Sequence, residues 1–204
     1  MDADFSIELG PDAPALELPW RDHDGEIRFV NLRSPEPIEQ QLERIPEVKD
    51  SPALRRFLMA LNSERSVWQT VKCDLWHAAC AAEENLYGAG CEQGSYIDLV
   101  LAQPSAARAD LALHMKSARK LAAMLEENEG LAASAEIVVR RCYFHSDGNM
   151  DESEDGYCLS FFLTGYGSTP EEASSNWEQA MDFAAHCWTS LHPEEERTQD
   201  SELG

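Results

Sequence analysis

Between Val67 and Leu191 the hydrophobic period switches in the order strand, strand, helix, strand, strand, helix, and that order leaves few folds open. The first strand, Val67–Ala78, sets Val67, Val71, Cys73 and Leu75 against Trp68, Thr70, Lys72, Asp74 and Trp76. A period of two with one apolar side marks a half-buried strand. The second strand, Ser95–Ala102, turns Ile97, Leu99 and Leu101 inward and Tyr96, Asp98 and Val100 outward. The third, Glu136–His145, carries two consecutive arginines, and the fourth, Tyr157–Tyr166, places Leu159, Phe161 and Leu163 on its inner face.

The first intervening helix is predicted from about Pro104 to Asn128, with its apolar stripe on Leu111, Met115, Ala118, Leu121, Ala122 and Leu125. The second opens at Thr169-Pro170-Glu171-Glu172, which reads as an N-cap, a proline at the first helical position and the return glutamate of a capping box. The expected fold is α+β: a four-stranded antiparallel sheet with two long helices on one face, a circularly permuted ferredoxin-like ββαββα order. Right-handed crossovers put the second and fourth strands, the most apolar, in the centre and parallel to each other. The charged first and third strands fall at the edges. In the first hairpin, matched faces and charge favour Lys72 opposite Asp98 and Asp74 opposite Tyr96, over a register that opposes Asp74 and Asp98.

Residues 1–191 read as a single domain. Residues 1–66 form an N-terminal extension, with a hairpin turning at Asp24-Gly25 and short helices from near Ser34-Pro35 and from Asp50-Ser51-Pro52. Residues 192–204 read as a disordered acidic tail. The net charge of -22 is spread along the chain, -6 over 1–66, -12 over 67–191 and -4 over 192–204. Such a chain repels phosphate backbones and anionic bilayers, so neither nucleic acid nor membrane is an expected partner. The opening MDADFSIELG has no apolar run, no stretch approaches a membrane span, and a cytoplasmic location with reduced cysteines is expected. Cys142 and Cys158 fall opposite each other if the second hairpin turns at Met150.

No catalytic or cofactor signature stands out, and no cofactor is expected. His77, Cys80 and Cys91 flank the first hairpin loop as three zinc-type ligands, but the second close-spaced pair of a structural zinc site is missing. Asp147-x-Asn149-x-Asp151 opens like a calcium loop, yet Glu152 stands where glycine is needed and Cys158 where a glutamate is needed. Cys73 and His77 lie about 13 Å apart along a strand, too far for a nucleophile and its base. His114, at the rim of a helix stripe, reads as a packing residue. The run Leu163–Ala180 (LTGYGSTPEEASSNWEQA) resembles the strand–glycine–helix passage of HicB-type antitoxins, which would imply a protein-neutralising role.

The candidate working surface is the sheet face away from the helices. It carries Trp68, Lys72, Asp74, Trp76, Tyr96 and Asp98 as binding residues, with Thr70, Ser160 and Phe162 beside them. Trp68 and Trp76 stand about 26 Å apart along the strand, a spacing for a broad partner surface. Three readings stay open: a binding module that engages a protein partner or a second copy of itself, an acidic inhibitor of a basic protein, and a small enzyme using metal or ligand near His77–Cys91.

Overall fold

The computed structural model describes residues 1–49, 51–80, 86–103, 106–145 and 152–192, the side chains of 77–80 and 86 excepted. The chain is α+β with a mixed six-stranded sheet, compatible with a ferredoxin-like fold. Its strands are β1 (Asp2–Glu8), β2 (Leu16–Leu18), β3 (Trp68–Cys80), β4 (Cys91–Leu101), β5 (Ala133–His145) and β6 (Ser153–Gly167). Its helices are α1 (Ile38–Leu42), α2 (Pro52–Leu61), α3 (Leu111–Glu126) and α4 (Pro170–Ser190). The sheet order is β1-β5-β6-β4-β3, with β2 also on β5.

The two apolar strands β4 and β6 do take the centre, but they run antiparallel, not parallel. The physical reason is the α3 crossover, which returns the chain in its original direction from β4 to β5 and leaves β6 paired antiparallel between them. Nor is β5 an edge. The N-terminal extension supplies β1 and β2, both parallel to β5, and they cover its outer side. Arg140 on β5 is held there by Glu8 of β1 at 2.9 Å. The predicted first-hairpin register is present, with Lys72 opposite Asp98 and Asp74 opposite Tyr96. The N-terminal hairpin is short, closed by one bridge between Arg21 and Ile27 around Gly25 at φ 83°. In the second hairpin Cys158 faces Arg140 and Cys142 faces Gly156, so the two thiols are diagonal neighbours rather than opposed. The hairpin tip that carries Asp147–Asp151, and residues 193–204, lie outside the described residues.

One extra residue in β3 redirects half of that strand. Thr70 pairs with Leu99 and Lys72 with Asp98, so Val71 has no partner of its own: a β-bulge. Before it, Trp68 and Thr70 face the helices; after it, Cys73 and Leu75 do. Trp68 is therefore not on the open face. It is fully buried, edge-on to Trp188 at 5.4 Å and to His114 at 6.0 Å. The bulge is secured on both sides. Asn62, at the end of α2, accepts from the Thr70 N–H and donates to the Thr70 hydroxyl, and Trp20 donates its indole N–H to the Val71 carbonyl.

The main core lies between the sheet and α2, α3 and α4, around Phe57, Trp68, Phe161, Trp177 and Trp188. Helix α4 packs directly on β6 because Gly165 has no side chain: a Cβ there would stand 2.3 Å from the Trp177 backbone nitrogen. Its N-cap is as read from sequence, with Thr169 accepting from the Glu172 N–H, although Glu172 returns its carboxylate to Ser168. Helix α3 starts later than predicted. Asp110 caps it through the Leu113 N–H, and a 3₁₀ turn over Ala106–Ala109 precedes it. Arg33 fastens the extension to the core by donating to the carbonyls of Leu61, Ser66 and Trp68. No described helix is long and apolar enough to cross a membrane.

Two substitutions test this packing. Trp68→Ala should cost about 3–5 kcal/mol in urea denaturation, as a buried aromatic does. Gly165→Ala should cost about 1–3 kcal/mol by forcing α4 off β6. If Trp68→Ala costs less than about 1 kcal/mol, the bulge assignment is wrong.

Candidate functional site

The sheet face away from the helices is divided into a covered and an uncovered part. The segment around Leu16, Leu18, Trp20 and Phe29 folds over Val71, Val100, Cys142, Cys158 and Phe144 and makes a second, smaller core. Beyond it the registers align three rows across five strands. The first is Ser6, Val138, Ser160, Asp98 and Lys72; the second is Asp4, Glu136, Phe162, Tyr96 and Asp74; the third is Asp2, Ser134, Thr164, Gly94 and Trp76. At the far end Tyr87 crosses toward β1. Its hydroxyl donates to the Ala133 carbonyl and accepts from the Asp2 N–H, and its ring leans on Tyr166 at 5.4 Å. Val138, Ser160 and Asp98 of the first row are buried beside Pro14–Leu16, and among the described residues the second and third rows form a trough between the N-terminal segment and Tyr87, with Asp98 and Lys72 at its covered end.

Five of the six predicted binding residues meet in this trough: Lys72, Asp74, Trp76, Tyr96 and Asp98. Trp68 does not, for the reason given by the bulge. Phe162 and Arg140 complete the set, and only the alignment of β5 with β6 and β4 identifies Arg140 as a neighbour. Trp76 lies flat over Gly94, where a Cβ would come within 2.3 Å of the indole, and is 40% exposed. Tyr96 and Phe162 pack side by side at 5.9 Å. The two cations at the covered end rest on these rings. The Lys72 ammonium is 5.6 Å from the Tyr96 centroid, and the Arg140 guanidinium 5.4 Å from that of Phe162.

Asp98 is the buried acid of the face, 5% exposed at the floor of a cavity of about 280 Å³. Ser160 donates to it, and Arg140 in turn donates to Ser160. Burial pushes the Asp98 carboxyl above its usual range, against the opposing pull of the Ser160 bond, Lys72 and Arg140. Burial also raises the Tyr96 phenol, opposed by Lys72. A carboxyl held this way can accept from a donor or hold a proton at the base of the trough.

The other chemical candidates resolve differently. Cys91 is disulfide-bonded, which corrects the expectation of six reduced cysteines and removes a thiolate from the proposed zinc set. Cys80 stands opposite it in the strand register, while the side chains of His77 and Cys80 lie outside the described residues. Among the described residues no three metal-type ligands cluster. Cys73, Cys142, Cys158 and Cys187 are free. His114 is a packing residue as read: it is fully buried, its Nδ1 is 2.8 Å from the Asp110 carbonyl, and burial lowers its pKa. No protein-family model, curated protein or solved structure matches this chain.

The Asp98 environment makes a signed prediction. Its folded pKa lies above the unfolded value near 3.8, so the folded state disfavours the carboxylate. Stability from this group is fully present below the unfolded value and is lost as pH rises through the folded pKa. Asp98→Asn, whose amide oxygen can still accept from Ser160, should raise the melting temperature at pH 7 and converge with the wild type toward pH 3.5. A variant less stable at pH 7 would show that Lys72 and Arg140 outweigh the burial.

Proposed function

We propose that the protein is a recognition module that binds a basic polypeptide partner in the trough. One observation carries this reading. The second row runs Asp4, Glu136, Phe162, Tyr96, Asp74, so a central aromatic pair is flanked by exposed acids on both sides. Asp2 and Trp76 extend the same pattern into the third row. Aromatic side chains with a polar rim supply contact area, and the surrounding charge selects the sign of the partner. A second copy of the chain fits this face less well. Because the row has acids at both ends, a two-fold contact along it would set acids of one copy against acids of the other, and like charges repel. The acidic balance of the whole chain supports the same choice, since it would steer a basic partner toward the surface.

Isothermal titration with two octapeptides of equal charge tests the reading, one alternating lysine with phenylalanine and one alternating lysine with serine. The aromatic peptide should bind at least about tenfold more tightly, as aromatic anchors do at an interface. Combined Tyr96→Ser and Phe162→Ser should remove that advantage without altering net charge. Asp74→Asn with Glu136→Gln should weaken binding and flatten its dependence on salt. Equal affinity of the two peptides for the wild type, or an unchanged preference in the aromatic double variant, would reduce the effect to general attraction by an acidic chain and remove the trough as the site.

A further inference from the structure

A second, larger cavity lies on the other side of Lys72, between the β3 edge and the segments 20–32 and 44–47, with a volume of about 380 Å³. Its wall is apolar, with Val30, Leu32, Ile45 and Leu58 around the bulge residue Val71. Its charged lining is Arg28, Arg44 and Lys72 against a single acid, Glu47. In a chain of 38 acidic and 16 basic residues, a three-to-one basic lining runs against composition.

The state of those three cations matters. Arg28 pairs with Asp22 at 2.7 Å and Arg44 with Glu36 at 3.0 Å, and each guanidinium carries five N–H donors, more than these pairs use. Lys72 has no carboxylate within ion-pair distance among the described residues, and its ammonium stands 5.3 Å from the Trp20 ring centroid. The cross-strand partner Asp98 is in the trough on the sheet face. Cys73 contributes no negative charge to the cavity, because burial pushes its thiol up to about 12. A concave apolar wall with a few convergent donors is the usual form of a small-molecule site.

We propose that this cavity binds a small amphipathic carboxylic acid from solution. Its carboxylate would be held by Lys72 with Arg28 and Arg44, and its hydrocarbon tail would lie against Val30, Ile45 and Leu58. Cationic donors bind a carboxylate through charge-assisted bonds, and the apolar wall removes the tail from water. The site shares Lys72 with the trough, where its ammonium also lies 5.6 Å from the Tyr96 centroid, but Arg28, Arg44 and the apolar wall line this cavity alone, and the polypeptide reading rests on Tyr96, Phe162 and the acids around them. A bilayer lipid is the poorer source of the same chemistry, since a chain of net charge -22 is repelled by an anionic surface.

Titration calorimetry with decanoate, octanoate and decyltrimethylammonium, each below its micelle concentration, tests the assignment. Decanoate should bind, octanoate roughly tenfold more weakly for two fewer buried methylenes, and the cationic amphiphile not measurably. Lys72→Gln and Arg44→Gln should each weaken decanoate at least about fivefold. Arg44 is exposed, so its variant stays informative if Lys72→Gln lowers the melting temperature. Absence of decanoate binding, equal affinity for the cationic amphiphile, indifference to chain length, or unchanged decanoate affinity in Arg44→Gln would each overturn the proposal.

Discussion

The extra residue at Val71 governs more of this molecule than any other single feature. A strand that kept its register would present Trp68, Thr70, Lys72, Asp74 and Trp76 on one face. The bulge splits them, sending Trp68 and Thr70 to the helices and leaving Lys72, Asp74 and Trp76 on the opposite side. The gain is a full indole in the core between Trp188 and His114. The cost is an interrupted ladder at the sheet edge, and the backbone groups left over are satisfied by Asn62 from one layer and Trp20 from the other. Both cavities meet at Lys72, the residue immediately after the bulge.

The N-terminal extension determines what the sheet face can offer. Without it, all the outward residues of four strands would share one broad surface. With it, the more apolar part of that face becomes a small second core, and the polar-aromatic part is left as a bounded trough. Leu32, Leu42, Phe57 and Leu58 of the extension are buried in the main core, and Arg33, Trp20 and the β1 and β2 pairings on β5 fix it further through backbone carbonyls and strand register. That explains how a segment of high polarity stays folded against the domain: its hydrogen bonds end on groups that the bulge and the strand edge would otherwise leave unpaired.

Charge is distributed with purpose relative to these features. The acids of the trough sit at its flanks and stay exposed, while the one acid drawn inside, Asp98, is met by Ser160, Lys72 and Arg140. The cations rest against aromatic rings, which keeps their heads near the surface and their stems over apolar ground. The result is a strongly acidic chain in which both concavities are lined by cations, Lys72 and Arg140 around Asp98 in one and Arg28, Arg44 and Lys72 in the other, with Lys72 common to the two.

The sequence by itself determined the four strands β3 to β6, their order, the inward faces of β4 and β6, the capped start of α4 and the pairing of Lys72 with Asp98. These follow from local period, capping chemistry, the handedness of the helical crossovers, and charge pairing within one hairpin whose register the matched apolar faces already restrict. The trough residues Lys72, Asp74, Trp76, Tyr96 and Asp98 were legible for the same reason. Only the tertiary structure decided the place of Trp68, because a bulge shifts phase without leaving a mark on composition; a tryptophan in the polar phase of the strand was the sole hint. It also decided that β1 and β2 cover β5, that Arg140 reaches Ser160, and that Arg28, Arg44 and Lys72 line one cavity. Those contacts join residues tens of positions apart, and nothing in a local period records which distant strand edge a short polar segment will complete.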